Sequence, residues 1–438
     1  MLDIKYIREN KETVKKNCEL RNIKCDVDRL LELDEKRRKL IVEIGELKEK
    51  KNNLNDEMKN AGDKDKIIAE GKKIKKDLDK LDPEFDKIEK EYKEILYIVP
   101  NVISPDTPIG PDEAGNKVIR KWGEIPKFDF QPKEHWELGK NLDIIDIERA
   151  VKVSGSRFSY LKGEAVLLEF ALIQHALSVL TNENTLKEII KENNLDVSDR
   201  PFIPVVPPVL IKPESMQRMA RLEPREERYH TPADDLYLVG SAEHTLGAMY
   251  MDETLKEADM PLRFIGFSTA FRREAGSYGK DTKGILRVHQ FDKLEMESFS
   301  LPENSLKEQD FIVAIQEYLM QSLKLSYQVV AICTGDMGGP DYRQIDIETW
   351  MPGQNRYRET NTSDLMNDYQ SRRLNTKVKR KDGKTEFVHM NDATAFAIGR
   401  TLIAILENGQ QSDGSVVIPE VLRKWMPGNL KIINKEIN

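Results

Sequence analysis

Between Thr269 and Glu295 the chain gathers side chains that can handle a nucleotide and an amino acid together. Arg272, Arg273 and Glu274 sit on a predicted strand, a loop through Gly276, Gly279 and Gly284 follows, and a second predicted strand carries Arg287, Phe291 and Glu295. Residues four apart on a strand share a face, so Phe291 and Glu295 point the same way. Guanidinium groups bind phosphate, an aromatic ring covers a purine, and a carboxylate takes an ammonium group. On paired strands this set fits an enzyme that joins ATP to an amino acid.

Other segments add to the set. In VGSAEH (239–244), after a strand at 236–239, Ser241 and Glu243 stand two apart and can meet a hydroxyl and an ammonium; alone, such a tripeptide says almost nothing. His244 reads as a supporting or satisfied surface histidine. The six histidines form no HxxxH or HxH pair, and Cys18, Cys25 and Cys333 make neither a disulfide framework nor a zinc set. Ile345, Ile347 and Thr349 alternate on a strand, and the chain returns through Arg356, Arg358, Glu359 and Thr362; the oxygens of Glu359 and Thr362 suit Mg²⁺ on phosphates. A later helix bears Gly399, which permits close approach, and Arg400, which can lie over the purine face opposite Phe291. In most proteins Arg400 would be a bland surface charge. No GxGxxG opens a βαβ unit and no GxxxxGK[ST] occurs, so the scheme is neither Rossmann nor P-loop.

These parts need a scaffold, and 438 residues suit two domains. Apolar residues at 30, 33, 40, 44, 47, 54 and 58, then at 67, 74, 78, 81, 85, 88, 92 and 95, step by three and four as a coiled-coil seam does, with Arg37, Lys51 and Gly71 in its gaps. Asn60–Asp63 reads as the turn, with Asp63 or Asp65 capping the second helix. Two antiparallel helices of roughly 30 residues, each on the order of 45 Å long, follow from a rise of about 1.5 Å per residue. Pro83 should either begin a helix or kink one. Two readings of this arm stand open: a protein-contact coil, or a lever that meets RNA phosphates through Arg37, Arg38, Lys39, Lys48, Lys50, Lys51, Lys72, Lys73, Lys75 and Lys76, although interleaved glutamates prevent a continuous basic stripe. Residues 101–135, rich in Pro, Gly and Asp, read as a linker; a helical domain occupies 1–100, with the coiled coil at about 28–97, and a catalytic domain 136–438. RPFIPVVPPVLI reads as a proline-bounded strand, and residues 182–200 as an extra surface helix. A net charge of −7 makes neither a basic coat nor a disordered tail; with no apolar run near 18 residues and no leader-like start, the expectation is a cytoplasmic chain with no membrane partner.

With these pieces assembled, the whole chain closely resembles the seryl-tRNA synthetase family of class II aminoacyl-tRNA synthetases. FRREAGSYGKDTKGILRVHQFDKLE matches the second class II motif, AIGRTLIAILEN with GQQSDGSVVIPEVLRKWM the third, and the helix after Gly163 with Pro208 the first, a dimer-interface element. TGDMG at 334–338 with IETWMPGQNRYRET, and the hairpin itself, mark the seryl branch. The resemblance implies an α+β fold: an antiparallel catalytic sheet flanked by helices, preceded by the two-helix arm. By position it makes Ser241, Ala242, Glu243, Arg272, Glu295 and Thr394 the serine-binding set. Arg272, Arg273, Glu274, Arg287 with Val288, Phe291, Glu359, Thr360, Asn361, Thr362 and Arg400 become the ATP set, with Phe291 and Arg400 sandwiching adenine. It implies catalytic roles for Arg272, Arg287 and Arg400, and Mg²⁺ at Glu359 and Thr362.

The implied reaction is serine activation by ATP to seryl-adenylate, then transfer to the 3′-terminal adenosine of tRNA(Ser), with tRNA(Sec) as a plausible second acceptor. A homodimer is also implied, each arm serving tRNA on the other subunit, which turns the reading of the arm toward the RNA lever. Departures from the pattern are Ser241 for Thr, Asp392-Ala393-Thr394 for Asn-Gly-Ser or Asn-Ala-Thr, Arg343 for Lys, the insertion near 182–200 and a short 211–236 stretch. Rival readings are a silent relative, opposed by the intact arginines; a ligase loading a carrier protein, which should lack the hairpin; and a coiled-coil interaction protein, which leaves the charged strands unexplained.

Overall fold

Seam residues spaced by three and four give each arm helix one apolar stripe, and pairing the stripes removes both from water. The computed structural model describes residues 1–58, 64–275 and 283–435 and divides into two units, Met1–Val102 and Ile103–Asn438. In the first unit, α1 (Val27–Glu57) begins at Asp26, whose carboxylate accepts the Arg29 N–H at 2.9 Å. α2 (Lys64–Ile98) runs unbroken through Pro83, neither starting nor ending there. Leu40, Ile44, Ile74 and Leu78 form the centre of the seam, flanked by Leu47, Leu54, Leu81, Phe85 and Ile88. The helices are antiparallel: Arg29 pairs with Glu91 at 2.8 Å, Arg37 with Glu89, and Lys48 with Asp82 at 3.9 Å. Arg37 fills its seam gap by laying its guanidinium 5.0 Å from the Tyr92 ring. Partly exposed ion pairs of this kind contribute at most about 1 kcal/mol. Truncating a buried leucine such as Leu78 costs roughly 2–5 kcal/mol, so the seam holds the hairpin. The expected turn at Asn60–Asp63 lies outside the described residues.

The second unit contains β1 (Lys117–Trp122), α3 (Glu164–Leu180), α4 (Glu183–Glu192), β2 (Ile203–Val205), α5 (Glu243–Leu246), β3 (Leu262–Phe271), β4 (Gln290–Ser300), α6 (Ser305–Ser322), β5 (Tyr327–Ala331), β6 (Arg343–Met351), β7 (Arg356–Asn367), β8 (His389–Ala397) and α7 (Ile398–Gly409). Its sheet has the order β1-β5-β6-β7-β8-β4-β3-β2, antiparallel throughout except for β2 beside β3. The stretch expected as a linker therefore supplies an edge strand. The single strand expected at 200–211 is split into β2 and Leu210–Ile211, since Pro207 and Pro208 have no amide to give a ladder. Within the 182–200 insertion, α4 buries Leu186 and Ile189 in the core.

Strand alternation sorts the sheet into two faces. Leu294 and Met296 of β4, Ala393 and Ala395 of β8, and Ile345 and Ile347 of β6 enter the apolar core. That core is completed by Leu168 and Leu172 of α3, Phe311, Ile312, Ile315 and Leu319 of α6, and Leu402, Ile403 and Leu406 of α7. The alternate residues, Lys293, Glu295 and Glu297, Asp392 and Thr394, Gln344, Asp346 and Glu348, form the polar face. The β7–β8 ladder runs from Ser363 opposite Ala393 to Asn367 opposite Met390. Beyond it, side-chain amides take over: Gln316 of α6 donates to the carbonyls of Thr362 at 2.7 Å and Thr394 at 2.9 Å, and Asn361 to that of Ala395 at 2.7 Å. Among the described residues no single helix is long and apolar enough to cross a membrane.

His175 of α3 is 3% exposed, with Nε2 2.7 Å from Ser322 Oγ. Burial, aided by the charge of Lys424, pushes its pKa down to about 4. The unfolded chain takes up this proton near the ordinary 6.5 and the folded chain only near 4, so the stability His175 supplies is full above 6.5 and lost as pH falls toward 4. Thermal unfolding followed from about pH 7 to about pH 4 should show a midpoint that falls less in His175→Gln than in the parent. Equal falls would contradict the assignment.

Candidate active site

Two adjoining cavities lie along the polar face. The first, of about 160 Å³, is lined by Arg272, Glu274, Arg287, Val288, Phe291, Glu359, Thr360, Thr362, Thr394 and Arg400. The second, of about 480 Å³, shares Arg287, Glu359 and Arg400 and continues past Asp346, Glu348, Arg356 and Arg358. Most of the nucleotide residues expected from sequence are thus brought together. Two are not. Arg273 stacks 5.8 Å from the Tyr229 ring while its N–H donates to Glu227 O, and Asn361 spends its amide on β8 carbonyls; neither lines these cavities.

Arg272 and Arg287 were expected on strands and are not, because β3 stops at Phe271 and β4 starts at Gln290. Arg272 and Glu274 follow β3, Glu274 with φ +52°, while Arg287 precedes β4; Gly276 and Gly279 fall outside the described residues. Arg272 is fixed from three sides. Its N–H donates to His289 O at 2.9 Å, its carbonyl lies 3.0 Å from His289 Nδ1, and its Nε donates to Gly240 O at 3.0 Å. Its guanidinium stands 5.4 Å from the Phe291 ring. Arg287 donates to Glu274 Oε2 at 2.9 Å. Arg400 reaches Glu359 Oε1 at 2.8 Å and Glu359 O at 3.0 Å. Partial desolvation would push Glu359, whose side chain is 47% exposed, up, but Arg400, Arg272 and Lys293 outweigh it and hold the carboxylate low.

The segment leading to Arg287 rests on a buried relay. Ile285 N–H donates to His135 Nε2 at 3.1 Å, which leaves the ring proton on Nδ1, 3.1 Å from Glu407 Oε1. The other oxygen of Glu407 accepts the Gly353 N–H at 2.9 Å. Gly284, next to Ile285, has φ +74°, and a Cβ there would lie 1.9 Å from His135 Nε2, so only glycine fits.

The segment carrying the residues expected to bind an amino acid is pinned to the tip of β3. Phe271 N–H donates to Val239 O at 2.8 Å and Gly240 N–H to His244 Nδ1 at 3.2 Å. Ser241 and Glu243 do not share a strand end: the strand closes at Leu238, and Glu243 opens α5. Ser241, Ala242 and Glu243 are all buried. Burial would raise the Glu243 carboxyl, but Arg221 at 2.5 Å, then His244, Lys293 and Arg272, hold it down at about 2. His244 is buried rather than at the surface, and burial drives its pKa to about 3 against the pull of Glu243. Glu295, fully buried, is pushed up by burial; Lys293, 2.7 Å from its Oε2, lowers it and Glu243 raises it. Lys293 Nζ also donates to Ser241 Oγ at 3.1 Å. Thr394 stands opposite Glu295 in the β4–β8 register. One oxygen each from Glu243, Glu295 and Asp392 lies within 4.8 Å of the others. Two carboxyl groups with pKa values driven apart, a hydroxyl on each side and a lysine ammonium already between them make a place for an amino-acid ammonium and a small polar side chain.

For a divalent cation the donors are oxygens: Glu359, Thr362 and, beside them, Asp346. Burial and the charge of Glu359 push Asp346 well up, although hydrogen bonds from Thr362 and Gln344 lower it. Carboxyl and hydroxyl oxygens are the donors a hard ion such as Mg²⁺ takes. Lys293, His289, Arg221 and Asp364 escaped the sequence reading. Lys293 carried a signal, since it lies between Phe291 and Glu295 on their shared face; Arg221 carried none, because a loop delivers it.

Residues 1–103 match the family described as "Seryl-tRNA synthetase N-terminal domain" and residues 227–409 that described as "tRNA synthetase class II core domain (G, H, P, S and T)". The chain is 42% identical over 430 residues to a serine–tRNA ligase of Caldicellulosiruptor bescii, covering 97% of this chain and 99% of that one. It is 39% identical over 439 residues to a serine–tRNA ligase of Nitrosopumilus maritimus, covering 99% and 100%. The crystal structure of seryl-tRNA synthetase from Pyrococcus horikoshii complexed with ATP superposes with a TM-score of 0.86 at 37% identity, covering 99% of this chain and 100% of that one.

Gly284→Ala should move His135 and with it the segment carrying Arg287, weakening ATP binding about ten-fold by titration calorimetry. Adding His135→Ala should recover part of that loss by removing the clash. Unchanged ATP affinity in Gly284→Ala would refute the role given to this contact.

Proposed function

This chain belongs to the seryl-tRNA synthetase family, and on that premise we propose that it activates L-serine with ATP and passes the seryl group to the 3′-terminal adenosine of tRNA(Ser). The observation that carries the reading is the continuity of the two ends: Thr394 and Lys293 line the cavity of Arg272, Phe291 and Arg400, and Lys293 touches both Ser241 and Glu295. A serine placed there sets its ammonium on Glu243 and Glu295 and its hydroxyl on Glu295 and Thr394. Its carboxylate then turns toward Arg272, and adenine lies between Phe291 and Arg400.

In the first step a serine carboxylate oxygen attacks the α-phosphorus of ATP, and the bond to the bridging oxygen breaks to release pyrophosphate. The nucleophile is already ionised, so no side-chain base is needed and positioning is the main device. Arg272 bridges substrate carboxylate and α-phosphate, where charge gathers as the bonds exchange. Arg287 holds the departing pyrophosphate. Glu359 and Thr362 are the residues to hold Mg²⁺, which when bound neutralises phosphate charge. In the second step the tRNA hydroxyl attacks the acyl carbon, AMP leaves, and a phosphate oxygen accepts the proton. Alanine and glycine lose because they leave the buried Glu295 and Thr394 unpaired, and threonine loses on fit.

Several features support the remaining parts. Lys50, Lys51, Lys72, Lys73, Lys75 and Lys76 are exposed on the arm, whereas Arg37, Arg38 and Lys39 are tied to Glu89, Asp34 and Glu35. The exposed lysines are therefore the phosphate contacts we assign to tRNA(Ser), with tRNA(Sec) as a second acceptor to assay. Phe170 of α3, Ile203 of β2, Val206 and Leu210 are exposed apolar side chains that a second copy would cover in a homodimer. A cytoplasmic setting follows from the substrates.

ATP–pyrophosphate exchange with each of the twenty amino acids should respond to serine above all others; a better response to another amino acid would overturn the assignment. Glu243→Ala and Glu295→Ala should each raise serine KM by roughly 100-fold or more while ATP KM stays within about two-fold. Near-parental serine KM in either variant would contradict the pocket. Replacing Lys72, Lys73, Lys75 and Lys76 by Glu should cut tRNA charging and flatten its salt dependence yet spare serine-dependent exchange. Equal loss of both activities would exclude a separate tRNA-binding arm.

A further inference from the structure

The polar face holds more acid than the reaction requires. Glu297 of β4, Asp392 of β8 and Asp364 of β7 stand directly opposite one another in register, a row of carboxyl groups across three adjacent strands. Like-charged groups at such positions repel one another. Glu297 and Asp392 are fully buried, and Asp364 nearly so. Burial first, then the neighbouring carboxylates, pushes all three carboxyl groups up. Arg221 reaches into this row from outside the sheet. Arg221 Nε lies 2.5 Å from Glu243 Oε1, and its Nη2 lies 3.1 Å from Asp392 Oδ2 and 3.9 Å from Asp341 Oδ1. Its side chain is 16% exposed.

The backbone that delivers it is fixed. Arg221 N–H donates to Met216 O at 3.1 Å, its carbonyl accepts Arg228 Nε at 2.9 Å, and Gln370 of the helix Tyr369–Leu374 donates to Met219 O at 3.1 Å. Met219 and Leu222 on either side are buried. The contacts to Asp392 divide between its oxygens: Oδ2 goes to Arg221, and Oδ1 is buried without a hydrogen-bond partner among the described residues. Oxygens of Glu243, Glu295 and Asp392 converge within 4.8 Å.

Resting on the serine-activating reading, we propose that Arg221 is the positioning residue of the amino-acid pocket: its guanidinium clamps Glu243 and Asp392 so that their oxygens converge with those of Glu295 on the substrate ammonium. A planar guanidinium can hold two carboxylates at once from different nitrogens; a lysine ammonium on a flexible stem does this poorly. Asp392 is fully buried, and its Oδ2 meets the Arg221 guanidinium at 3.1 Å, so that second contact offsets its removal from water. The clamp acts through Glu243 and Asp392 without touching the reacting atoms.

The experiment measures serine KM, ATP KM and kcat by pyrophosphate exchange, with thermal unfolding on the same full-length samples, for the parent, Arg221→Lys, Arg221→Leu and Arg221→Leu/Asp392→Asn. Arg221→Lys keeps the charge and should raise serine KM about ten-fold with ATP KM within about two-fold. Arg221→Leu should raise serine KM about 100-fold, and adding Asp392→Asn should recover at least about ten-fold, because the carboxyl left without a partner is gone. Should Arg221→Leu fail to fold, the Arg221→Lys split decides alone. Serine and ATP KM both unchanged in Arg221→Lys, both raised alike, or no recovery in a folded double variant would overturn the clamp. A parent protein without serine-dependent exchange would remove the reading of the site itself, and the clamp with it.

Discussion

Charge buried in the sheet has to be met by charge, and the polar face of the catalytic unit is organised around that requirement. Glu295 on β4 is fully enclosed, and Lys293, two residues away on the same face, reaches its carboxylate at 2.7 Å. Glu243 arrives on a different segment with Arg221 attached, and Glu359 arrives with Arg400. A carboxylate stripped of water costs several kcal/mol unless it is paired, so Glu243 and Glu295 are each held by a cation in one geometry. The same bonds fix where a bound ammonium, phosphate or guanidinium-covered base can go. Recognition here follows from how the sheet keeps its acids tolerable.

The apolar face serves that arrangement. Leu294, Met296, Ala393 and Ala395 alternate with Lys293, Glu295, Asp392 and Thr394, so packing α3, α6 and α7 against one side sets the register of the other. Where the β7–β8 ladder stops, Gln316 and Asn361 supply the missing donors. Thr394 is thereby held through its own carbonyl. The arm uses a simpler rule, one apolar stripe per helix, and it leaves its lysines to solvent.

What could be read before the fold was known depended on periodicity and local order. The hairpin was legible because steps of three and four persist from Leu30 to Ile95. The cavity-lining set was legible because Arg272, Arg287 and Phe291 are close in sequence about the facing ends of β3 and β4, and the family resemblance placed Ser241, Glu243, Thr394 and Arg400 beside them. Arg273 and Asn361 lie away from the cavities because their contacts are elsewhere, Arg273 at Tyr229 and Glu227 and the Asn361 amide at the carbonyls of β8, and a motif carries no record of such partners. Arg221 and Asp364 were invisible for a different reason: their roles exist only once four distant segments converge. His244 was left between a supporting and a surface role because a single histidine carries no record of its burial; it is buried and supports Gly240.

The account as a whole claims one nucleotide–amino acid bed in which Phe291 and Arg400 cover the base while Glu243 and Glu295 hold the ammonium. A crystal structure of this chain with a non-hydrolysable seryl-adenylate analogue tests that most directly. The account predicts the adenine between the Phe291 ring and the Arg400 guanidinium, with the ammonium in hydrogen-bond contact with Glu243 and Glu295. An analogue bound with its base away from Phe291 and Arg400, or its ammonium away from both carboxylates, would contradict it.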